Sequence, residues 1–542
     1  MSSKYVIGLD YGTLSCRAVL ARCKDGEIIA DAVKPYTHQV MEELLPDGKT
    51  ALERNWALEH PGDYLESMED TIRSVMEQGK VPKEDVIGIG IDFTSCTMMP
   101  VDQEGVPFCM KEGYESRPHA YAKLWKHHAA QYEADKINQV LAEGSYREKY
   151  KIDEKVSSEL LLPKAMQILD EDPEIYQEAD ALVEAGDWMT RVLTGSRKRS
   201  ASMAGYKAWW SEERGYPEEA FYRAFDERLE HFTEEKLKGE VCPVDQAIGY
   251  LTREWADRLG LQEGIAVAPA VIDSHAGVPG SGVLEKGQMM LVVGTSSVVL
   301  ALSDKPYYGK GIVGTVKSGI IPGFYALESG IAAVGDALEW FVSNAVPESC
   351  CRRAEEEGLN IHAYLSREAA KMQPGESPVI ALDWLGGNKT PYVDGSLLGG
   401  FYGVGLRTKP EELYRALIEA TAFGTRRIVE SMEESGTRIE KVVVSGGISK
   451  KNPFFMQIYA DVLGLELSVA ENMQTAALGS AVYAAVAAGG EQGGYDTVDQ
   501  AVRAMTRVEE PLYRPDPAHR EAYDKLYEKY KKMASFFSEW RA

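Results

Sequence analysis

Four short runs of the chain are almost continuously apolar, and each is about as long as a β-strand. They cover residues 5–10, 86–92, 289–293 and 441–444. A strand that is covered on both faces lacks the alternation of polar and apolar residues found in a half-exposed strand. The pattern therefore predicts four buried strands.

Longer segments between these runs have helical periodicity. Residues 61–78 and 410–431 are the clearest, and Pro410 with Glu411 and Glu412 suits the first turn of a helix. The charged, amphipathic segment 517–542 predicts a packed terminal helix with Asp516 as its N-cap. Strands alternating with helices predict an α/β fold.

A strand–turn–strand pattern occurs twice. The first copy turns at Gly-Thr-Leu-Ser, residues 12–15, and the second at Gly-Thr-Ser-Ser, residues 294–297. Such turns are common hairpin tips, but two copies in matching order favour two homologous halves. We expect an N-terminal domain of residues 1–282 and a C-terminal domain of residues 283–542. The helix-rich segment 104–265 is interpreted as an insertion that could build a substrate pocket.

Charge and cysteine content narrow the classes of function. The 59 Lys and Arg against 84 Asp and Glu give a net charge of −25, which argues against a nucleic-acid-binding protein. The seven cysteines form no CxxC pair, so neither a disulfide framework nor a cysteine-rich zinc site is expected. No signal peptide and no apolar run of about 20 residues is found. We expect a soluble cytoplasmic protein without a membrane partner, and a homodimer is one of the open assembly states.

The candidate segments do not match the standard nucleotide-binding motifs. The Gly-Lys-Thr at residues 48–50 would need glycine at position 43 for a P-loop, where Glu43 stands. Phe93 and Thr408 occupy the third glycine position of two candidate dinucleotide fingerprints. The sequence therefore supports neither a Walker ATPase nor a Rossmann dehydrogenase.

The segment from Gly8 to Ser15 can supply phosphate and metal chemistry. Its strand delivers the carboxylate of Asp10, and Gly12 would let backbone N–H groups approach a phosphate. Asp10 would hold Mg²⁺ through water, because Mg²⁺ keeps several waters and binds few carboxylates. Val292 takes the equivalent place in the second copy. The alternative is a simple hairpin with a polar tip.

A second candidate carboxylate, Asp273, follows the apolar run 268–272. At a strand end that enters a helix, it could deprotonate or orient an attacking hydroxyl group. His275 is the alternative base, but two residues further on it would point elsewhere. We therefore favour Asp273.

Five motifs in order, GLDYGTLSCR (8–17), APAVIDSHAG (268–277), LVVGTSS (291–297), YGVGLRTKPEELYRALIEA (402–420) and VVVSGGISKKNPFFMQIYADVLG (442–464), resemble the FGGY family of carbohydrate kinases. The resemblance covers nearly the whole chain. Segments 92–97, 117–128, 204–210 and 382–391 are most similar to the L-ribulokinase members of that family.

The resemblance implies two actin-like, ribonuclease-H-type domains with a central cleft for ATP and sugar. It implies that Asp273 is the catalytic base and that Asp10 and Asp273 form the Mg²⁺ site. Sugar-contacting positions would be Ser95, Lys207, Asp273 and Glu328. Phosphate and nucleotide positions would be Gly12, Thr13, Gly294, Thr295, Gly446, Gly447 and Asn452, with Gln457 nearby. The alternative for Lys207 is an ordinary solvated lysine.

The implied activity is ATP-dependent phosphorylation of L-ribulose to L-ribulose 5-phosphate in L-arabinose catabolism. The enzyme class would be a phosphotransferase with an alcohol group as acceptor. Two alternatives stay open: an FGGY kinase for another pentulose or pentitol, such as xylulose, D-ribulose or ribitol, and an actin- or Hsp70-like ATPase. The stereochemistry of the sugar is not fixed by the sequence.

Overall fold

The computed structural model describes residues 3–152, 155–309, 311–312, 314–434 and 436–540. Their strands are β1 (Tyr5–Tyr11), β2 (Ser15–Arg22), β3 (Ile28–Pro35), β4 (Leu58–Glu59), β5 (Val86–Phe93), β6 (Met98–Val101), β7 (Ala122–Lys123), β8 (Ala181–Glu184), β9 (Arg199–Ser200), β10 (Val241–Cys242), β11 (Gly249–Tyr250), β12 (Ala266–Val267), β13 (Val271–Ile272), β14 (Gln288–Val293), β15 (Ser297–Ser303), β16 (Gly314–Lys317), β17 (Tyr325–Ile331), β18 (Ile380–Leu382), β19 (Gly400–Tyr402), β20 (Lys441–Ser445) and β21 (Leu467–Val469). Their α-helices are α1 (Pro61–Gly79), α2 (Gln131–Glu143), α3 (Tyr146–Tyr150), α4 (Leu161–Glu171), α5 (Pro173–Glu178), α6 (Ala185–Thr194), α7 (Ala201–Ala208), α8 (Glu219–Arg223), α9 (Phe232–Lys236), α10 (Arg253–Leu259), α11 (Asp273–Gly280), α12 (Gly335–Ala345), α13 (Glu348–Glu356), α14 (Ile361–Ala369), α15 (Pro410–Glu434), α16 (Gly447–Lys451), α17 (Pro453–Leu463), α18 (Thr475–Ala488), α19 (Val498–Met505) and α20 (Arg520–Glu539).

The chain divides into two compact units. The first comprises the described residues up to Leu284 together with Val316–Ala326 and Gln474–Thr506. The second comprises Glu285–Thr315, Leu327–Met473 and the described residues from Arg507 onwards. One division of the chain thus follows Leu284, and two later segments belong to the first unit. The domain bounds 1–282 and 283–542 stay a prediction.

The first unit is built on a seven-stranded sheet. Its order is β11-β12-β5-β1-β2-β3, and β13 also pairs with β5. The hairpins β1–β2 and β2–β3 are antiparallel, whereas β5 runs parallel to β1, β12 and β13. The carboxyl ends of β1, β5 and β13 consequently meet at one edge of the sheet.

Helix α18 packs closely on this sheet and on α11. A Cβ atom at Gly8 would lie 1.9 Å from the carbonyl oxygen of Ala477, and one at Gly90 would lie equally close to that of Ser480. A Cβ atom at Gly479 would lie 1.7 Å from the carbonyl oxygen of Ala276. These glycines are required because the backbones touch, and this contact explains why α18 belongs to the first unit.

A second sheet of the first unit is four-stranded and antiparallel, with the order β4-β7-β6-β8. Only β7 and β8 lie within the insertion predicted at residues 104–265. Helices α2 to α5, α8 and α9 surround this sheet with an apolar core of their own, which includes Trp56, Ile137, Leu162 and Phe221. Strand β6 directly follows β5 in the chain, so the β5–β6 turn connects the main sheet to this second sheet.

The second unit repeats the arrangement of the first. Its sheet has the order β16-β17-β15-β14-β20-β21, in which β14–β15 is an antiparallel hairpin and β20 runs parallel to β14. Val292 pairs with Ser445 in this sheet, and Asp10 pairs with Asp92 at the equivalent place in the first. The predicted duplication and the α/β class of two actin-like halves are confirmed.

The predicted strands and helices are present with small changes of boundary. The strand runs correspond to β1, β5, β14 and β20, and the two clearest helical patterns to α1 and α15. The C-terminal helix begins later than predicted. Asp516 caps a short 3₁₀ turn by accepting a hydrogen bond from the Ala518 backbone N–H, and α20 starts after that turn.

Among the described residues, no helix is long and apolar enough to cross a membrane.

Candidate active site

Asp10 and Asp92 lie side by side at the carboxyl ends of two adjacent parallel strands. Neighbouring strands are about 4.8 Å apart, so the two carboxyl groups are close. Strand β2 is the other neighbour of β1, and its residue Arg17 is paired with Asp10. Burial raises the pKa of Asp10, and the positive charge of Arg17 opposes that effect. The arrangement places two acids and one cation at the end of β1.

Asp92 is fully buried. Burial raises the pKa of its carboxyl group well above the usual range, and the neighbouring charge of Asp10 raises it further. Ser480 of α18 donates a hydrogen bond of 2.7 Å to Asp92 Oδ2. The hydrogen bond from Ser480 therefore fixes the buried carboxyl group of Asp92 to α18, whereas Asp10 is only half-buried.

Asp273 is the first residue of α11 and directly follows β13, as its position in the sequence predicts. Its side chain is half-buried, and Oδ1 accepts a hydrogen bond of 2.6 Å from the Ser274 backbone N–H. The pairing of Val271 with Asp92 brings Asp273 to the same sheet edge as the other two acids. Its negative charge contributes to the raised pKa of Asp92.

His275, the alternative base, is completely buried. Its ring lies 4.2 Å from the Tyr206 ring, centroid to centroid, and its Nδ1 is 3.5 Å from Ser202 Oγ. Both neighbours belong to α7, so His275 helps to pack α7 against α11. Asp273 is the more accessible of the two groups.

The β1–β2 hairpin closes with a hydrogen bond of 3.0 Å from the Gly12 N–H to the Ser15 carbonyl oxygen. A Cβ atom at Gly12 would meet no protein atom closer than 3.7 Å, so the space beside this glycine is open. Thr13 Oγ1 accepts a hydrogen bond of 3.1 Å from the indole N–H of Trp125, which comes from the insertion. The hairpin tip therefore has both open backbone and a tethered hydroxyl group.

Ser95 lies half-buried in a tight turn between β5 and β6. The next residue, Cys96, has φ +57°, a left-handed conformation that residues other than glycine rarely adopt. The turn is held by a 2.7 Å hydrogen bond between the hydroxyl groups of Thr94 and Thr97. The buried ammonium group of Lys164 donates to the Cys96 carbonyl oxygen at 2.7 Å.

Lys207 is a half-buried residue near the end of α7. Burial raises the pKa of the Cys96 thiol to about 11 and that of Glu184 to about 8, and the positive charge of Lys207 opposes both shifts. Lys207 is therefore near the Ser95 turn, within electrostatic range. Neither carboxylate oxygen of Glu184 has a hydrogen-bond partner among the described residues.

Glu328 is a half-buried residue of β17, in the second unit. The next residue, Ser329, is buried, and its hydroxyl group donates a 2.6 Å hydrogen bond to the Gly311 carbonyl oxygen. Glu328 and Ser329 point to opposite faces of the sheet because side chains alternate along a strand.

The β14–β15 turn repeats the first hairpin. The Gly294 N–H donates to the Ser296 carbonyl oxygen at 2.9 Å, and Thr295 is exposed at the tip. The carbonyl oxygens of Gly294 and Thr295 accept hydrogen bonds from backbone N–H groups that open α12. The turn is thereby fixed to a helix within the second unit.

Gly446 and Gly447 follow β20, and Gly447 is exposed. Gly446 has φ +96°, and a Cβ atom there would lie 2.4 Å from the Val293 carbonyl oxygen. Only glycine fits a position that combines this conformation with this close approach. Gly446 therefore brings the two loops that follow β14 and β20 together.

Asn452 caps α17, because its Oδ1 accepts a hydrogen bond from the Phe455 N–H at 3.1 Å. Its Nδ2 donates to Ser366 Oγ at 3.0 Å. Gln457 Nε2 donates to Asp461 Oδ1 and to the Arg514 carbonyl oxygen, each at 2.8 Å. In the structure both amides stabilise the second unit itself.

A hard divalent cation fits the acids of the first unit. Asp10 and Asp273 offer oxygen ligands from half-buried carboxyl groups at one sheet edge, which is the ligand type that Mg²⁺ prefers. The second unit lacks this pair among its described residues, since Val292 stands in the place of Asp10. Asp10 and Asp273 therefore suit a metal site in the first unit, which Val292 prevents at the equivalent place in the second unit.

Three residues of this region were given no role by the sequence analysis: Arg17, Asp92 and Lys164. Asp92 could have been found, because it ends a buried strand in the same way as Asp10. Arg17 follows the hairpin tip by two residues, so its pairing with Asp10 depends on the register. Nothing in the sequence around Lys164 distinguishes it from a surface lysine of a helix.

Comparisons with known proteins identify the family of this chain. The models of the N-terminal and C-terminal domains of the FGGY family of carbohydrate kinases match residues 5–280 and 289–488. A ribulokinase of Anoxybacillus flavithermus is 46% identical over 99% of this chain and 95% of its own length. A ribulokinase of Geobacillus thermodenitrificans is 45% identical with the same coverage.

Among solved structures, a xylulose kinase from Rhodospirillum rubrum has a TM-score of 0.80 and 24% identity, and 99% of each chain is covered. This similarity concerns the fold. Because both family models and relatives of this identity span nearly all of the sequence, the chain is a member of the FGGY family of carbohydrate kinases.

Proposed function

We propose that this chain phosphorylates the 5-hydroxyl group of L-ribulose with ATP, giving L-ribulose 5-phosphate and ADP, as a step of L-arabinose catabolism. The observation that carries the proposal is the group of three acids, Asp10, Asp92 and Asp273, at one sheet edge in a carbohydrate kinase. The choice of sugar is supported by the identity of 43–46% with five ribulokinases over at least 97% of the chain.

Asp273 acts as the base of the proposed reaction. Its carboxylate accepts the proton of the 5-hydroxyl group while the oxygen attacks the γ-phosphorus, and the bond from that phosphorus to the β–γ bridging oxygen breaks. Half-burial leaves the carboxylate accessible to a substrate, and the Ser274 N–H fixes its orientation. Phosphoryl transfer needs positioning more than covalent help.

In this proposal the sugar is oriented by the Ser95 turn and Lys207, and Lys207 offers three N–H donors to its oxygens. Glu328 is the further sugar-contacting position that the family resemblance implies, and its carboxylate can only accept hydrogen bonds. The position of Lys207 within electrostatic range of Cys96 and Glu184 supports this assignment.

Asp10 and Asp273 would hold Mg²⁺ in this proposal. When bound, the ion would supply positive charge against the phosphate oxygens. Arg17, which pairs with Asp10 across the hairpin, adds a fixed positive charge at the same strand end. The open space beside Gly12 gives a phosphate access to the backbone of the hairpin tip, and the Thr13 hydroxyl group is a donor there.

We assign the sugar to the N-terminal domain, residues 1–282, and the nucleotide to the C-terminal domain, residues 283–542. Gly294, Thr295, Gly446 and Gly447 form the nucleotide loops of this proposal. The glycine contact of Gly446 with β14 supports it, because it holds the two loops together. Asn452 contributes through the capped start of α17 rather than through a free amide.

An ADP-release assay with single sugars tests the proposal. L-ribulose, D-ribulose, L-xylulose, D-xylulose and ribitol are compared at equal concentration, with and without Mg²⁺. We expect the highest kcat/KM with L-ribulose and little ADP release without sugar. A higher kcat/KM with another sugar would favour the alternative pentulose or pentitol kinase, and sugar-independent turnover would favour the ATPase.

We also propose a cytoplasmic location, where the free thiols of Cys16, Cys23, Cys96, Cys109, Cys242, Cys350 and Cys351 stay reduced. A homodimer is the assembly state to test, by light scattering.

A further inference from the structure

Lys164 lies directly behind the Ser95 turn and is completely buried. Its ammonium group donates to two backbone carbonyl oxygens, that of Cys96 at 2.7 Å and that of Leu124 at 2.8 Å. The Lys123 carbonyl oxygen is a third acceptor at 3.5 Å. One side chain of α4 therefore holds two separate loop segments.

Both segments carry residues of the candidate site. Cys96 follows Ser95, whose backbone is assigned to the sugar. Leu124 precedes Trp125, whose indole N–H donates to Thr13 Oγ1 in the phosphate hairpin. The Lys164 ammonium therefore connects the turn beside the sugar with the segment that contacts the hairpin.

The Cys96 backbone needs such support. Its φ of +57° belongs to the left-handed region, which is disfavoured for a residue with a side chain by a factor of about 5 to 30. A conformation of this kind persists only where the surroundings fix it. The Lys164 bond to the Cys96 carbonyl oxygen, the Thr94–Thr97 hydroxyl pair and the bond of 2.7 Å from the Ala185 N–H to the Thr97 carbonyl oxygen are the contacts that do so.

We propose that Lys164 is a positioning residue for the sugar site, which keeps the Ser95–Cys96 turn in its left-handed, sugar-binding conformation through the Cys96 carbonyl oxygen. The inference rests on the proposed function, because the ligand of the turn is the ketopentose. Without the ammonium group the turn spends less time in that conformation. The apparent Kd for sugar rises by the inverse of the remaining competent fraction.

The test is calorimetric titration of L-ribulose into the full chain without nucleotide, for wild type and Lys164→Met. Methionine keeps the apolar length of the side chain and removes its N–H donors. We expect the Kd for L-ribulose to rise about 5- to 30-fold, while the KM for ATP changes less than about twofold. A Kd equal to that of wild type would overturn the inference.

Lys236→Met is the matched control. Lys236 is also a buried lysine of the first unit, and it donates to the Ala179 carbonyl oxygen at 2.7 Å, away from the site residues. Its loss is expected to lower the thermal midpoint but to leave the Kd for sugar unchanged. An equal loss of sugar affinity in both variants would assign Lys164 to general stability and overturn the inference.

Cys96→Gly separates positioning from packing. Glycine adopts the left-handed conformation without a steric penalty, so we expect Cys96→Gly to recover at least about threefold of the affinity lost in Lys164→Met. No recovery would contradict the role of the Cys96 conformation. If Lys164→Met does not fold, Lys164→Gln is titrated in the same way, and failure of both to fold while Lys236→Met folds would also overturn the inference.

The wild-type titration separates this inference from the proposed function. If wild type binds no L-ribulose but binds another ketopentose, the choice of substrate is wrong, and the variants are compared with that sugar. If wild type binds L-ribulose and Lys164→Met binds it equally well, only the role of Lys164 is wrong.

Discussion

Ser480 donates a hydrogen bond of 2.7 Å to Asp92, although 388 residues separate them in the chain. The bond joins α18 to the central strand β5, and both residues are fully buried. It is a contact between the edge that carries the candidate acids and a helix contributed by a late segment of the sequence.

Ser480→Ala should destabilise the first unit. A buried acceptor left without its donor costs about 1–3 kcal/mol, so the urea midpoint of unfolding should fall. Ser281→Ala is the control, because the Ser281 hydroxyl group donates to the Val278 carbonyl oxygen in its own helical segment. Equal midpoints for Ser480→Ala and wild type would show that the bond contributes no stability.

Asp273→Asn should lower kcat about 10²- to 10⁴-fold, the usual contribution of a general base, and leave nucleotide binding largely intact. Single-turnover ADP formation at saturating L-ribulose measures the loss. Retention of more than about a tenth of wild-type turnover would be inconsistent with the role of Asp273, and His275→Asn would then be measured.

Asp10→Ala should raise the concentration of Mg²⁺ needed for half-maximal activity, because it removes a carboxylate from the proposed metal site. The measurement is a Mg²⁺ titration of ADP formation, with Asp31→Ala as a surface control in the same sheet. A variant curve that superimposes on that of wild type would exclude Asp10 from the metal site.

Lys207→Ala should lose about 10- to 100-fold in kcat/KM for L-ribulose, since a hydrogen bond from a charged group contributes about 1.5–3 kcal/mol. The KM for ATP should stay within a few-fold. Lys198→Ala, a half-buried lysine before α7, is the control. Sugar kinetics equal to those of wild type would favour the alternative interpretation, in which Lys207 is an ordinary solvated lysine.

Glu184 should make the first unit less stable as the pH rises. Burial raises the pKa of this carboxyl group from 4.5 to about 8, so between these values the folded state binds the extra proton and stability falls with increasing pH, by up to about 1.4 kcal/mol per pH unit. Glu184→Gln should remove this part of the slope in urea midpoints between pH 5 and pH 8. Identical slopes for Glu184→Gln, wild type and the surface control Glu143→Gln would contradict the prediction.

The strands that carry the acids could be predicted from the local sequence. A strand that is buried on both faces is a run of apolar residues, and in these strands the run ends in a carboxylate. The same pattern was available for Asp92 as for Asp10. The position of Lys164 could not be predicted, because its acceptors are the backbone carbonyls of Cys96 and Leu124. Carbonyl direction depends on tertiary structure and leaves no pattern in the sequence.

It could also not be predicted from the sequence that α18 belongs to the first unit. Its sequence, TAALGSAVYAAVAA, is apolar on nearly every side, which indicates complete burial but not the sheet that covers it. The covering surface depends on Gly8 and Gly90, whose missing side chains make room for the helix. A match between glycines far upstream and a small-residue helix is a property of two distant segments together.

Placement of α18 in the first unit has a consequence for synthesis on the ribosome. The strands β1, β2, β3 and β5 emerge early, yet the helix that covers Gly8 and Gly90 is translated only after Leu327–Met473 of the second unit. One apolar face of the sheet in the nascent N-terminal half therefore stays uncovered until α18 has been synthesised. Its folding is completed late in translation, and an apolar face that stays exposed until then is prone to aggregation.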